Sequence, residues 1–326
     1  MKGKLSALIK TLVTALLFYF LFRKMDFQQF GATIRNARLG VLLCSFALLW
    51  IGHYMCIFRW RMLMRPLMPV FSLTRLFEIY CIGLFFNLTF PTAVGGDVVK
   101  MYYAGKPSRK YAQSFAATFL DRDSGMLAMM IIAVVGTMLL PLKVPGIPVS
   151  LVIWVSFAGF MVLNVVIFMP YMHRLLTRLL IKMRLSRVAT RVDAISSAFQ
   201  IMGKNPRVLF DSLLISMLNQ LLVFAYTWVT AVALHISVSF LYFLVFIPVI
   251  TLITMIPITL SGTGLRETAF MSLFVAIGVA KESCFALGLL SSIMILVSAI
   301  PGGIVYILFR NRGDLQQIAA METDFR

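Results

Sequence analysis

Charge is scarce in this chain, and acid is scarcer still. Only 13% of its 326 residues are charged, with 12 acids against 30 lysines and arginines. A soluble domain usually has about a quarter of its residues charged, so a water-facing surface is excluded for most of this one. There are four cysteines and three histidines. Cys44, Cys56, Cys81 and Cys284 all lie in apolar stretches without CxxC or Cys/His metal spacing, and they read as reduced packing residues. The sequence contains no Walker A motif, no G-x-S-x-G elbow and no H-E-x-x-H pair, which argues against direct ATP drive and leaves no catalytic signature of those types. No cofactor and no metal is implied.

Apolar sequence is abundant: 60% of residues are apolar and mean hydropathy is +0.93. Runs of about 20 apolar residues are long enough to cross a bilayer as helices. They occur at Leu5–Phe22, Leu39–Phe58, Ser124–Leu140, Val149–Met169, Val208–Leu234 and Cys284–Phe309. Lys2 and Lys4 ahead of Leu5–Phe22 imitate a signal peptide, but no small-residue cleavage site follows, so this stretch is expected to be a retained helix. The net charge of +18 does not point to nucleic acid. The basic residues sit between the apolar runs, as in cytoplasmic loops that contact anionic headgroups.

Two more apolar regions, Leu76–Tyr103 and Leu241–Ala280, are broken midway by Pro91, Gly95 and Gly96, and by Pro257, Gly262 and Gly264. Basic clusters at Arg59–Arg75, Lys100–Lys110, His173–Arg191 and Arg310–Arg312 share one side only if the first region enters and returns there. The same parity sends the second region in from the opposite side. The predicted architecture is all-α and polytopic, with about six full transmembrane helices and two re-entrant helical hairpins. Both termini are then cytoplasmic, at the inner membrane of the cell. Arg23–Arg38 carries four basic residues yet falls on the outer side, and reads as an interfacial amphipathic helix.

The two broken regions resemble each other. Pro91 leads to Lys100 nine residues on, and Pro257 leads to Arg266 at the same spacing, with Gly96 and Gly262 between. Similar segments entering from opposite faces predict an inverted repeat. Residues 1–310 form one domain, with halves at about 39–140 and 208–309, a basic connection at about 171–207, and a short cytoplasmic tail at 311–326.

Non-helical backbone at membrane depth persists only beside protein or a watery cavity, so the breaks are candidate sites. The helix after each break starts with N–H groups and a positive dipole end suited to phosphate. Lys100 and Arg266 add charge there. Asp121-Arg122-Asp123 falls about 15 Å into a helix that starts near Tyr111, and Arg266-Glu267 lies inside the second hairpin. Intramembrane charges are costly and usually line a substrate path or pair with each other. Asn87, Pro91, Gly95, Gly96, Asp97, Lys100, Asp121, Arg122, Gly262, Gly264, Arg266 and Glu267 are therefore the candidate translocation residues. Glu78 reads as either a proton site or an interfacial acid. His53 reads as a structural histidine, and Asn219-Gln220 as an interhelical hydrogen-bonding pair.

These motifs, together with Gly125 and Pro301-Gly302, resemble the lysylphosphatidylglycerol synthase transmembrane-region family, the flippase-like domain at the N-terminus of the multiple peptide resistance factor. The resemblance covers about residues 5–310. It implies an integral membrane protein that moves phosphate-containing lipids between leaflets: phospholipid, aminoacylated phospholipid or polyprenyl-phosphate-linked lipid. It implies membrane lipids as partners, with a separate lipid synthase or glycosyltransferase as a further one, and no catalytic role. Lys100 stands where the family often has Arg, and Ser261 where it often has Gly. No soluble aminoacyl-transfer domain follows Arg310, so no synthase activity is expected. Two alternatives are a membrane-embedded transferase using Asp97, Asp121 and Asp123, and a non-catalytic partner of a lipid synthase.

Overall fold

The computed structural model describes residues 26–69, 71–89, 95–140, 148–169, 186–256, 258–259 and 262–309. Among them there are eleven helices and no strand. These are α1 (Phe27–Arg35), α2 (Leu39–Met64), α3 (Leu73–Thr89), α4 (Gly95–Gly105), α5 (Tyr111–Leu139) and α6 (Val149–Phe168). They continue with α7 (Ser186–Gly203), α8 (Pro206–Ala233), α9 (Phe240–Met255), α10 (Leu265–Val275) and α11 (Lys281–Phe309). The expected spans Leu5–Phe22 and the residues Pro91, Pro257 and Ser261 lie outside the described residues.

Among the described residues four helices are long and apolar enough to cross a membrane: α2, α5, α8 and α11 as far as Leu308. The stretches Val149–Val165 and Phe240–Met255 are apolar but shorter. The expected span Ser124–Leu140 is the second half of a longer helix that starts at Tyr111. The segment expected to be amphipathic is α1, whose first turn is capped by the Asp26 carboxylate, accepting from the N–H groups of Gln28 and Gln29.

The outward faces of the long helices are apolar, unlike those of a water-soluble protein, and their polar side chains are placed inward among the apolar core. On α2 the exposed side carries Leu39, Leu43, Ile51, Tyr54 and Phe58, at helical spacing, while Ser45 and Arg59 are buried. On α8 the exposed side carries Phe210, Leu214, Leu218 and Leu221, while Ser212, Ser216, Asn219, Thr227 and Thr230 are buried. Apolar outside and polar inside is the arrangement that a hydrocarbon solvent selects, because polar groups there must find partners within the protein. Helix α9 is buried along Phe243–Ile250 on every side and forms the centre of the larger apolar core with α10 and the first turns of α11.

The long helices α2 and α8 are antiparallel partners. Arg38 N–H donates to the Ala233 carbonyl at one end, Ser45 Oγ to the Tyr226 carbonyl further in, and Arg59 to Ser216 near the other end. Helix α5 is also antiparallel to α2, since Arg59 meets Asp121 and Trp60 meets Thr118. The end of α2 and the start of α5 therefore share one end of the bundle. The antiparallel pair α3–α4 leaves and returns there. At the other end, His235 approaches the Asn36 carbonyl and Phe285 packs on Phe30. The end of α8 and the start of α11 meet α1 there, so α9–α10 leaves and returns at that end. Most pairings are kept when α2, α3, α4 and α5 are exchanged with α8, α9, α10 and α11: α3 packs on α4 and α11, and α9 on α10 and α5, whereas the close packing of α5 on α8 has no counterpart between α11 and α2 among the described residues.

Candidate functional site

The α3–α4 hairpin closes because two glycines let its backbones touch. A Cβ at Gly96 would lie 1.9 Å from the Gly83 carbonyl oxygen, so no larger residue fits without separating the arms. Asn87 Oδ1 accepts from the Gly96 N–H at 2.8 Å and caps the start of α4. One of the N–H groups expected to await a ligand is thus already used. Gly95 and Gly96 are buried.

The next residue, Asp97, in the first turn of α4, sits between two cations. Its Oδ1 is 2.9 Å from Lys100 Nζ, and its Oδ2 accepts from Arg122 of α5. Side-chain exposure falls from 33% for Arg122 to 14% for Asp97 and 8% for Lys100. Arg122 is therefore the accessible member and Lys100 the innermost. Lys100 Nζ also lies 5.4 Å from the Trp60 ring centre and 5.2 Å from that of Tyr80. Among the expected residues, Asn87, Gly95, Gly96, Asp97, Lys100 and Arg122 are thus brought together.

Asp121 is nearby but has a different partner from those expected. It accepts from Arg59 Nε at 2.7 Å, and the same guanidinium donates to Ser216 Oγ at 2.7 Å. Three helices, α2, α5 and α8, meet in this clasp. Gly125, one turn on from Asp121, lies beside it: a Cβ there would be in ordinary contact, 3.4 Å from a guanidinium nitrogen of Arg59. Gln220 donates to the Gly125 carbonyl at 2.9 Å, and Asn219 Nδ2 lies 3.4 Å from Cys56 Sγ, so the pair does join helices.

The second hairpin makes a separate polar group. Gly262 and Gly264 have φ of +76° and +87°, a region L-residues rarely adopt. Gly264 leads directly into α10. Glu267 is fully buried; its Oε2 accepts from the Gly264 N–H and its Oε1 from Ser292 of α11, both at 2.6 Å. Arg266 does not pair with its neighbour Glu267. It donates to the same Ser292 hydroxyl at 3.2 Å and, among the described residues, has no carboxylate partner. Each hairpin packs chiefly on α5 and α11 rather than on the other hairpin.

The sequence did not single out Arg59, Trp60, Tyr80, Ser216 or Ser292. Arg59 was counted in a basic loop, whereas α2 continues to Met64; the apolar residues Met62, Leu63 and Met64 beyond it were the available signal. The serines had none, since only the fold selects them. His53 lies 3.3 Å from Tyr80 Oη and 3.4 Å from Ser298 Oγ, and Glu78 pairs with Arg75 one turn away. Among the described residues no three His, Cys, Asp or Glu side chains are grouped to hold a metal.

The family model described as Lysylphosphatidylglycerol synthase TM region matches residues 7–304. No curated protein and no solved structure matches the chain.

Proposed function

The chain belongs to the lysylphosphatidylglycerol synthase TM region family, and from that membership we propose that it is a lipid flippase of the cytoplasmic membrane. It carries a phosphate-bearing headgroup across while the tails stay in the bilayer. In this reading α3–α4 and α9–α10 are re-entrant hairpins of an inverted repeat, among six full spans that include Leu5–Phe22. Their departure from opposite ends of the α2–α8 pair supports it. The end bearing Lys106, Arg109 and Lys110 is cytoplasmic by its charge, and both termini lie there. A separate lipid synthase supplies the cargo, and this chain carries out no covalent step.

One observation carries the proposal: Asp97, Lys100 and Arg122 form a connected ionic group inside an apolar shell, with Arg122 one-third exposed. Such a group is costly in hydrocarbon and is kept where a charged cargo passes. Arg122, with a planar fork of donors suited to phosphate, takes the headgroup from Asp97, and Asp97 takes the guanidinium back on release. Arg266, partnered by a hydroxyl, offers the second station.

The test is scrambling in proteoliposomes, using fluorescent phosphatidylglycerol and a polyprenyl-phosphate analogue. Movement of either lipid by wild type and its loss in Asp97→Ala and Arg266→Ala, both still folded, is the expected result. Equal movement in both variants would remove these residues from the path. No movement of either lipid by folded wild type would overturn the assignment for these cargoes.

A further inference from the structure

We infer that Lys100 is a specificity determinant that bars amine-bearing headgroups, so that the cargo presents phosphate without a primary ammonium. This rests on the transport reading above and narrows its substrate class.

A carboxylate flanked by two aromatic faces is the chemistry that recognises an ammonium group. Asp97, Trp60 and Tyr80 supply those parts, and in this chain the occupant is the ε-ammonium of Lys100 itself. Nζ lies 2.9 Å from Asp97 Oδ1 and within 5.4 Å of both ring centres. The walls are fixed. Trp60 is fully buried, with Nε1 donating to Thr118 Oγ1 at 3.2 Å, and Tyr80 Oη lies 3.3 Å from His53. The stem is fixed too: a Cβ at Gly83 would come within 2.6 Å of Lys100 Cγ, so the lysine lies in the groove that this glycine leaves.

A tethered ammonium competes with a free one at the high effective concentration of an intramolecular ligand. A lysyl or ethanolamine headgroup would have to expel it, leaving Lys100 buried without its carboxylate, which is the costly outcome for an ion whose side chain is 8% exposed. An anion faces the opposite balance. Among the described ion pairs the group holds one carboxylate between two cations, a net positive charge, and its accessible member is Arg122. A phosphate completes the pairing, whereas an additional amine repels.

The experiment measures two quantities in parallel for wild type, Lys100→Met and Lys100→Arg. One is competitive binding of phosphatidylglycerol and lysylphosphatidylglycerol to protein in detergent micelles; the other is scrambling of the same two lipids in proteoliposomes. Methionine keeps the stem in the Gly83 groove and removes the charge. Wild type is expected to prefer phosphatidylglycerol roughly tenfold in binding. Lys100→Met is expected to bring the two lipids to within about threefold, with the amine-bearing lipid gaining most. Lys100→Arg keeps the wild-type preference. Equal binding of both lipids by wild type, or a preference unchanged in Lys100→Met, would overturn the inference. Retained binding preference without transport of either lipid would instead count against the flippase reading and leave the selectivity standing.

Discussion

The guanidinium of Arg59, from α2, donates through Nε to Oδ1 of Asp121, from α5, at 2.7 Å, with side-chain exposures of 5% and 7%. Ser216 of α8 takes a second donor of the same group. A buried ion pair of this kind contributes little net stability against an apolar pair, but breaking one side leaves an uncompensated charge.

Arg59→Met is therefore expected to cost about 3–5 kcal/mol and to lower Tm in detergent clearly. The double variant Arg59→Met with Asp121→Leu is expected to recover a large part of that loss. A double variant no more stable than Arg59→Met alone would show that the pair does not act as a unit.

Close backbone contact makes a sharper demand. A Cβ at Gly302 would sit 1.8 Å from the Cys81 carbonyl oxygen, between α11 and α3, as one at Gly96 would against Gly83. Gly302→Ala and Gly96→Ala are expected to lower Tm and abolish transport, since backbone and not a flexible side chain must move. Gly159→Ala, with nothing within 4 Å, is expected to be neutral or stabilising by up to about 1 kcal/mol from helix propensity. Thermal melts of the three variants in one detergent check this.

Ser292 holds Glu267 and Arg266 together. Ser292→Ala removes one of the two donors that the buried carboxylate has among the described residues, and the hydroxyl partner of Arg266. The expected cost is about 1–3 kcal/mol for a buried acceptor left short, together with slower transport. Ser292→Thr, which keeps the hydroxyl, is expected to retain both. Unchanged transport in Ser292→Ala would take this bridge out of the mechanism.

His53 is expected to act structurally. Its ring packs edge-on against Trp50 and tilted against Tyr80, contacts that His53→Phe keeps while losing its hydrogen bonds. That variant is expected to lose about 1 kcal/mol of stability and to keep transport at wild-type rate across pH. A changed pH profile would give His53 a functional role.

Much of this was legible in the sequence. The breaks after Thr89 and before Leu265 fall where proline and glycine interrupt apolar runs, because these residues end helices and admit φ values closed to others. The spacing of Asp97 and Lys100 is a signal for their pairing that the sequence carried, since residues three apart share a helix face. Arg122 was legible as an intramembrane charge but not as the partner of Asp97, 25 residues away.

By itself the sequence determined the solvent. Its hydropathy and scarce charge require a lipid-embedded helical bundle, and its prolines and glycines place the two hairpins. Tertiary structure alone decided which charges meet: Asp121 with Arg59, Asp97 with Arg122, and Glu267 with Ser292 rather than with Arg266. The physical reason is that hydropathy and helix-breaking are local properties, read within about one helix length. Ion pairing in a medium of low dielectric is settled by whichever helix faces are packed together, and that packing joins residues as far apart in this chain as Phe30 and Phe285.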